Sequence, residues 1–332
     1  MNNINCLNIH ITNECNMRCL HCLYSSGEIK RPEMSTNSVK RLITQFSEYC
    51  PNGTVNIFGG EALIRDDIFE IFRFVKKQGL SLGLTTNGKC ISNFFSEILD
   101  IGFNRISIDL DGGNKKTHDW LRNEKGHFAK TTSLISRLLT NNVDVSVTSV
   151  LNKTNILELE SILDTGYGLE ISTHAFYMMT PLGRATALTN EILSGREWLS
   201  AKNTIIDWCK KRKPLYPIIW ENAYRDSTIS PEYFSLCGAK GITSLDVSCE
   251  GDVYFCGLLT AVRKHSIGNV VVDGFNHILK QIETNAIEKN GCSALALAND
   301  SYKGGVLFDP REREGTIIPT CPYDWEILNI IS

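Results

Sequence analysis

Two periods of hydrophobicity alternate along the first two-thirds of the chain. Short, partly β-branched apolar runs bounded by Gly, Asn or Asp fall at 7–11, 54–58, 81–85, 105–110, 143–150 and 170–177. Such runs predict six strands. Between them the apolar spacing becomes helical. Val39, Leu42, Ile43 and Phe46 follow i, i+3, i+4, i+7, with Ser35 or Thr36 placed to cap the helix. Ile68, Ile71, Phe72 and Val75 repeat that pattern, Phe128, Thr131, Ile135 and Leu138 follow it more loosely, and 157–163 is a shorter case. Strands alternating with helices predict an α/β fold with a parallel sheet and right-handed crossovers. Six units rather than eight point to an open, partial (β/α)6 barrel, with a doubly wound open sheet as the alternative.

Near Gly195 the texture changes. An amphipathic segment over 198–209 leads into Lys210-Lys-Arg-Lys-Pro214. A hairpin-like pair of strands around Glu250-Gly251-Asp252 and an irregular tail follow. These features divide the chain near residue 210, into a barrel over 1–210 and a small, irregular α+β domain over 211–332.

Composition narrows the function classes. The 332 residues are 42% hydrophobic and 21% charged, with a formal net charge of -3. That excludes a disordered or collagen-like chain and argues against a nucleic-acid partner bound mainly through charge. No basic-then-apolar signal segment opens the chain, and no apolar run reaches the ~18 residues of a membrane span. A cytoplasmic protein without a membrane partner is expected, in a compartment where disulfides are rare. Its 12 cysteines therefore read as metal ligands plus buried thiols.

Three of those cysteines stand together. Cys15, Cys19 and Cys22 form C-x3-C-x2-C directly after the first predicted strand. Thiolates are ligands of both iron–sulfur clusters and structural zinc. A [4Fe–4S] cluster held by three thiolates keeps one iron open for a substrate or cofactor. The alternative is zinc with His21 as fourth ligand. The second predicted strand ends in Gly59-Gly60-Glu61. Paired glycines let backbone approach a ligand closely, and the carboxylate beside them can accept from an ammonium group. In a barrel both loops fall on the C-terminal face, where active sites of such folds are built.

These motifs resemble those of the radical S-adenosylmethionine (SAM) superfamily, over essentially the whole chain. The resemblance implies a [4Fe–4S] cluster on Cys15, Cys19 and Cys22, and SAM held at its amine by Gly59, Gly60 and Glu61. It implies reductive cleavage of SAM to methionine and a 5′-deoxyadenosyl radical, which abstracts a hydrogen atom from substrate. An electron donor such as flavodoxin or ferredoxin is implied as a partner. Asn87, after the third strand, falls near SAM by the same resemblance, with a helix-entry turn as the alternative. In many peptide-modifying members, a Ser two residues before Asp-Gly and an Arg after His-Asp hold the SAM carboxylate. Arg122 fits the second position, but Asp109 stands where the Ser is expected, which leaves Ser107 as a substitute or Asp109 as a specialised catalytic group. His118 and Asp119 read as helix-start residues. Arg184, in Pro181-Leu-Gly-Arg, approaches SAM or substrate, or is a salt-bridged rim residue.

The tail resembles the family's auxiliary-cluster domain, called SPASM in its long form and twitch in its short form. Cys237 and Cys256 match its opening, Lys303-Gly-Gly-Val306 is a worn copy of its Cys-x-Gly-Gly-Cys, and Cys321 matches its closing cysteine. With Cys292 these make four thiolates, enough for one auxiliary [4Fe–4S] cluster. Cys249 is a spare that could ligate, stay buried or donate a hydrogen atom. Cys6, Cys50, Cys90 and Cys209 read as buried structural residues. The resemblance implies maturation of a ribosomally made precursor peptide by crosslinking, thioether formation or epimerisation. A small-molecule dehydrogenase or epimerase, of an aminocyclitol or sugar, is the alternative.

Overall fold

The computed structural model describes residues 4–221, 224–226, 243–284, 317–319 and 325–327. Six parallel strands form its centre: β1 (Cys6–His10), β2 (Thr54–Phe58), β3 (Ser81–Thr86), β4 (Arg105–Asp109), β5 (Val145–Leu151) and β6 (Thr173–Met178). Each pairs with the next in sequence order, as the predicted alternation requires. The sheet is wider than six strands, however. β7 (Ile218–Glu221) joins β6 in parallel and β9 (Ser244–Val247) joins β1 in parallel. β10 (Val253–Tyr254) makes an antiparallel hairpin with β9, the hairpin expected around Gly251. β12 (Trp325–Ile327) pairs with β7, while β8 (Tyr224–Asp226) and β11 (Ile317–Pro319) form a separate pair. The full order is β10-β9-β1-β2-β3-β4-β5-β6-β7-β12. Strands from both sides of residue 210 thus share one sheet.

The helices are α1 (Thr36–Tyr49), α2 (Ile68–Lys77), α3 (Phe95–Ile101), α4 (Lys115–Arg122), α5 (His127–Thr140), α6 (Leu159–Leu169), α7 (Gly195–Arg212), α8 (Gly257–Val262) and α9 (Phe275–Thr284). Ser35 caps α1 by accepting from the Ser38 N–H, as expected. Ser194 and Glu197 make a reciprocal capping box at the start of α7. One element differs from expectation. The sixth strand begins at Thr173 rather than 170, because the apolar face Leu159, Ile162, Leu163 and Gly166 carries α6 on to Leu169. Glu170 then ends that helix in the left-handed conformation, at φ 59°.

The sheet curls. On a flat sheet β1 and β6 would lie roughly 24 Å apart, at five strand spacings. Instead, the segment after β6 touches the segment after β1, with Arg184 donating from its backbone N–H to the Cys22 carbonyl at 3.0 Å. The outward side chains Leu7, Ile9, Val55, Ile57, Leu82, Ile106, Ile108, Val145 and Val147 pack under the helices with no exposure. The inward face is polar. Asn56 Nδ2 donates to Asn8 Oδ1 at 3.1 Å and to Cys6 Sγ at 3.3 Å. Among the described residues, no helix is long and apolar enough to cross a membrane.

Candidate active site

The loop after β1 carries the three cysteines, and the loop after β2 shapes it. Gly60 N–H donates to the Thr12 carbonyl at 2.7 Å and Glu61 N–H to the Glu14 carbonyl at 2.9 Å. A Cβ on Gly59 would sit 2.6 Å from the Thr12 carbonyl, and one on Gly60 would fall inside the Glu14 carbonyl. The two glycines are therefore required by the close approach of the two loops. From the other side Gly183, at φ 55°, lies against the Cys22 and Leu23 carbonyls. Arg184 Nε donates to the Cys19 carbonyl at 2.7 Å, and its Nη1 reaches the Ser26 carbonyl and Glu28 at 3.0 Å each. The Arg184 guanidinium is thus spent on bracing the cysteine loop.

The three thiols lie close together, so that Cys22 bears on the ionisation of both Cys15 and Cys19. Burial pushes the Cys15 thiol up and the Cys19 thiol up to about 11, while the nearby Arg122 guanidinium opposes both shifts. Metal binding would displace those thiol protons. Among the described residues, no three His, Cys, Asp or Glu side chains converge on the geometry of a single metal ion. His21, fourth ligand in the zinc alternative, directs Nε2 toward Arg122 Nη1 at 3.3 Å and lies 3.8 Å from Asp111. A set of three soft thiols beside one buried cation fits a thiolate-held iron–sulfur cluster.

Glu61 does something the sequence did not reveal. It is fully buried, and its carboxylate accepts from Leu63 N–H at 3.1 Å, from the Thr86 hydroxyl at 2.9 and 3.0 Å, and from Asn87 N–H at 2.9 Å. Its acceptor sites are filled by its own chain. Burial raises its pKa, against the pull of those donors. Asn87 is the hub beside it. Its Nδ2 donates to Asn16 Oδ1 at 2.8 Å and lies 3.8 Å from Cys15 Sγ. Asn16 in turn donates to Cys90 Sγ at 3.0 Å. Cys90 is half-buried rather than buried; it packs against the core and also faces this loop cluster. Cys6 and Cys50 are likewise half-buried, and Cys209 alone of those four is buried.

Arg122, at the end of α4, is buried between two carboxylates. Its Nη2 lies 2.5 Å from Asp109 Oδ2 and its Nη1 3.3 Å from Asp111 Oδ2. Burial works against its charge, but the two acids more than offset that, so the guanidinium stays protonated. Asp109 therefore pairs with Arg122 in place of a neutral hydroxyl. Arg122 Nε is buried with no hydrogen-bond partner among the described residues. Ser107 lies one strand repeat earlier on the same face of β4, deeper in the barrel.

Behind this group lies a pair that no sequence pattern joins. His118 is fully buried within α4, not at its start, and His127 opens α5. Their rings stack with Nε2 of His118 2.9 Å from Nδ1 of His127. Burial lowers His118 to about 2 and His127 to about 4.

The later cysteines divide. Cys256 is buried at the start of α8, and the Tyr24 hydroxyl donates to the neighbouring Gly257 carbonyl at 3.3 Å. Tyr24 follows Cys22 by two residues, so Cys256 lies on the cysteine-loop side of the barrel. Cys249 is fully buried at the β9–β10 turn, where its carbonyl accepts from Met34 N–H at 2.7 Å. Its charged neighbours are Arg263, Glu33 and Arg31. Cys237, Cys292, Cys321 and the segment Lys303 to Val306 lie outside the described residues.

Comparison with known proteins places this geometry. Residues 9–165 match the family described as the Radical SAM superfamily. The chain is 25% identical over 261 residues to an AdoMet-dependent heme synthase of Oleidesulfovibrio alaskensis, covering 74% of this chain and 65% of the relative. It is 25% identical over 318 residues to the mycofactocin maturase MftC of Mycobacterium tuberculosis, covering 91% of this chain and 78% of that protein. The chain therefore spans just under two thirds of the heme synthase's length. In fold it is similar to Streptococcus suis SuiB bound to S-adenosylmethionine, with a TM-score of 0.72 at 14% identity over 92% of this chain and 76% of SuiB.

Proposed function

Residues 9–165 of this chain are a radical SAM domain, and from that premise we propose that the protein binds a [4Fe–4S] cluster on Cys15, Cys19 and Cys22 and reductively cleaves SAM. Bound there, cluster and SAM would supply a 5′-deoxyadenosyl radical that takes a hydrogen atom from an unactivated carbon of substrate. The observation that carries this reading is the meeting, at one mouth of the barrel, of three thiols, a glycine-lined loop and a buried arginine with an unpartnered N–H.

Each residue then has a task. Gly59 and Gly60 bring backbone acceptors to the SAM amine. Glu61 serves that end indirectly, since its carboxylate fixes the loops carrying Asn87 and Leu63. Arg122 offers Nε to the SAM carboxylate. Asp109 orients Arg122, and Ser107 lines the barrel below it. Arg184 holds the cysteine loop at its carbonyls, so that the three thiols keep their spacing. The chain's tail, over 211–332, is proposed to form an auxiliary-cluster domain using Cys237, Cys256, Cys292 and Cys321. Cys249, beside Arg263, is kept as a candidate hydrogen-atom donor. Such an iron–sulfur protein belongs in the reducing cytoplasm, with a flavodoxin or ferredoxin as electron donor.

For substrate we favour a precursor peptide, supported by the likeness to a protein named as a mycofactocin maturase over 91% of this chain. The likeness to a heme synthase keeps a small molecule as the second reading. The test uses anaerobically reconstituted protein with SAM, dithionite and a deuterated candidate peptide encoded beside the gene. Deuterium in 5′-deoxyadenosine supports the peptide reading. Deuterium from a small-molecule candidate, and none from the peptide, overturns it.

A further inference from the structure

The two ends of the proposed SAM site are Asn87, on the loop after β3 and bonded to Glu61 of the β2 loop, and Asp111, on the loop after β4 and bonded to Arg122 of α4. One chain of hydrogen bonds joins them. Asp111 N–H donates to His118 Nδ1 at 3.1 Å. His118 Nε2 lies 2.9 Å from His127 Nδ1. His127 Nε2 lies 3.1 Å from the Asn87 carbonyl. The two ends of this chain are backbone groups with fixed roles. A backbone N–H can only donate and a carbonyl can only accept. Both tautomers follow. His118 Nδ1 must be bare, so its proton sits on Nε2 and points at His127. His127 Nδ1 must then also be bare, facing both His118 Nε2–H and the Thr131 hydroxyl at 3.0 Å, and its Nε2 proton goes to Asn87. A second proton on either ring would set donor against donor. Both rings are buried, at no exposure and 2%, so neither has water as a substitute partner.

The chain's ends are themselves tied to the site. Asp111 uses Oδ1 on Val150 N–H at 2.8 Å and Oδ2 on Arg122. Asn87 uses its N–H on Glu61 and its side chain on Asn16 beside Cys15. A shift at either imidazole would therefore change the distance from the Arg122 side to the Glu61 side.

We propose that His118 and His127 are positioning residues, a strut of two neutral imidazoles with fixed tautomers that sets the separation of the two loops between which the methionyl group of SAM binds. This rests on the SAM-binding reading above. The strut touches neither the cysteines nor the cofactor, so it governs SAM affinity rather than cluster assembly.

Two variants cut it at different places. His118→Asn keeps an acceptor for Asp111 N–H but cannot reach His127. His118→Gln reaches His127 but leaves the Asp111 N–H unpaired. Each should weaken SAM binding to the cluster-loaded protein by about tenfold, with iron content unchanged. His174→Gln is the control, because His174 is equally buried but bonds Ser149 instead. It should lower thermal stability and leave SAM affinity alone. Undiminished SAM affinity in both His118 variants, with wild type binding SAM, overturns the strut. So does 15N-histidine NMR of the holoprotein near neutral pH showing a protonated ring or an Nδ1–H tautomer at either position. Wild-type protein that loads its cluster and binds no SAM overturns the underlying reading instead, while the NMR result still judges the strut.

Discussion

The two faces of the central strands are built one residue apart and obey different rules. Outward, Leu7, Ile9, Val55 and Ile57 pack without exposure beneath α1 and α2. Burial of this kind is non-directional, and any side chain of the right size and apolarity contributes. Inward, Asn8, Asn56, Asp109, Tyr177 and Asp246 occupy the alternate positions. Each of these needs a partner, and the cost of burial shows in the ionisation of two of them. Burial pushes the Asp246 carboxyl up to about 7 and raises the Tyr177 phenol above its ordinary range. The difference teaches where fold and chemistry are divided. The outer face holds the sheet together, and the inner face and its mouth carry polar groups at a cost in stability.

The largest contrast lies in truncation of the outer face. Ile57→Ala should cost about 2–5 kcal/mol in urea unfolding, through loss of a fully buried side chain. A loss well below that range would break the claim that this face carries the fold. On the inner face the sharper probe is pH. Asp246 titrates near 7 when folded and near 3.8 when not. Between those values the folded state holds the extra proton, so its stability falls as pH rises. The stability of Asp246→Asn relative to wild type should therefore grow from 3.8 to about 7 and then level off. A flat difference across that window would mean that Asp246 is not a buried acid. The smallest effect belongs to Tyr24→Phe, which loses one hydrogen bond to the Gly257 carbonyl. About 1 kcal/mol is expected, read as a small shift in the urea midpoint. A much larger loss would show that the mouth, not the outer face, anchors β9 and α8.

What was legible in the sequence follows the same division. The outer face repeats with period two in strands and 3.6 in helices, so β1 to β5 fell within two residues of their predicted bounds. The tight Cys15, Cys19 and Cys22 spacing and Gly59-Gly60 were readable because they are local. The union of β9 with β1, and of β7 with β6, was not, because pairing partners distant in sequence leave no periodic trace. The same holds for the inner network. Glu61 looked like a ligand for an ammonium group, yet its oxygens go to Thr86, Asn87 and Leu63. Arg184 was open between cofactor and rim, and its partners are carbonyls of a loop some 160 residues earlier. His118 and His127 join because the short turn over 123–126 folds α5 back against α4, a packing that leaves no periodic trace.

The proposed auxiliary cluster has its own test. A Cys15→Ala, Cys19→Ala, Cys22→Ala variant should retain about four irons if the tail holds one cluster, and iron near zero would reject it. The same variant supplies the most direct test of the central claim, which is 5′-deoxyadenosine formed from SAM under dithionite by anaerobically reconstituted protein. Wild type should produce it and the triple variant should produce none; production by the triple variant at the wild-type rate would contradict the account.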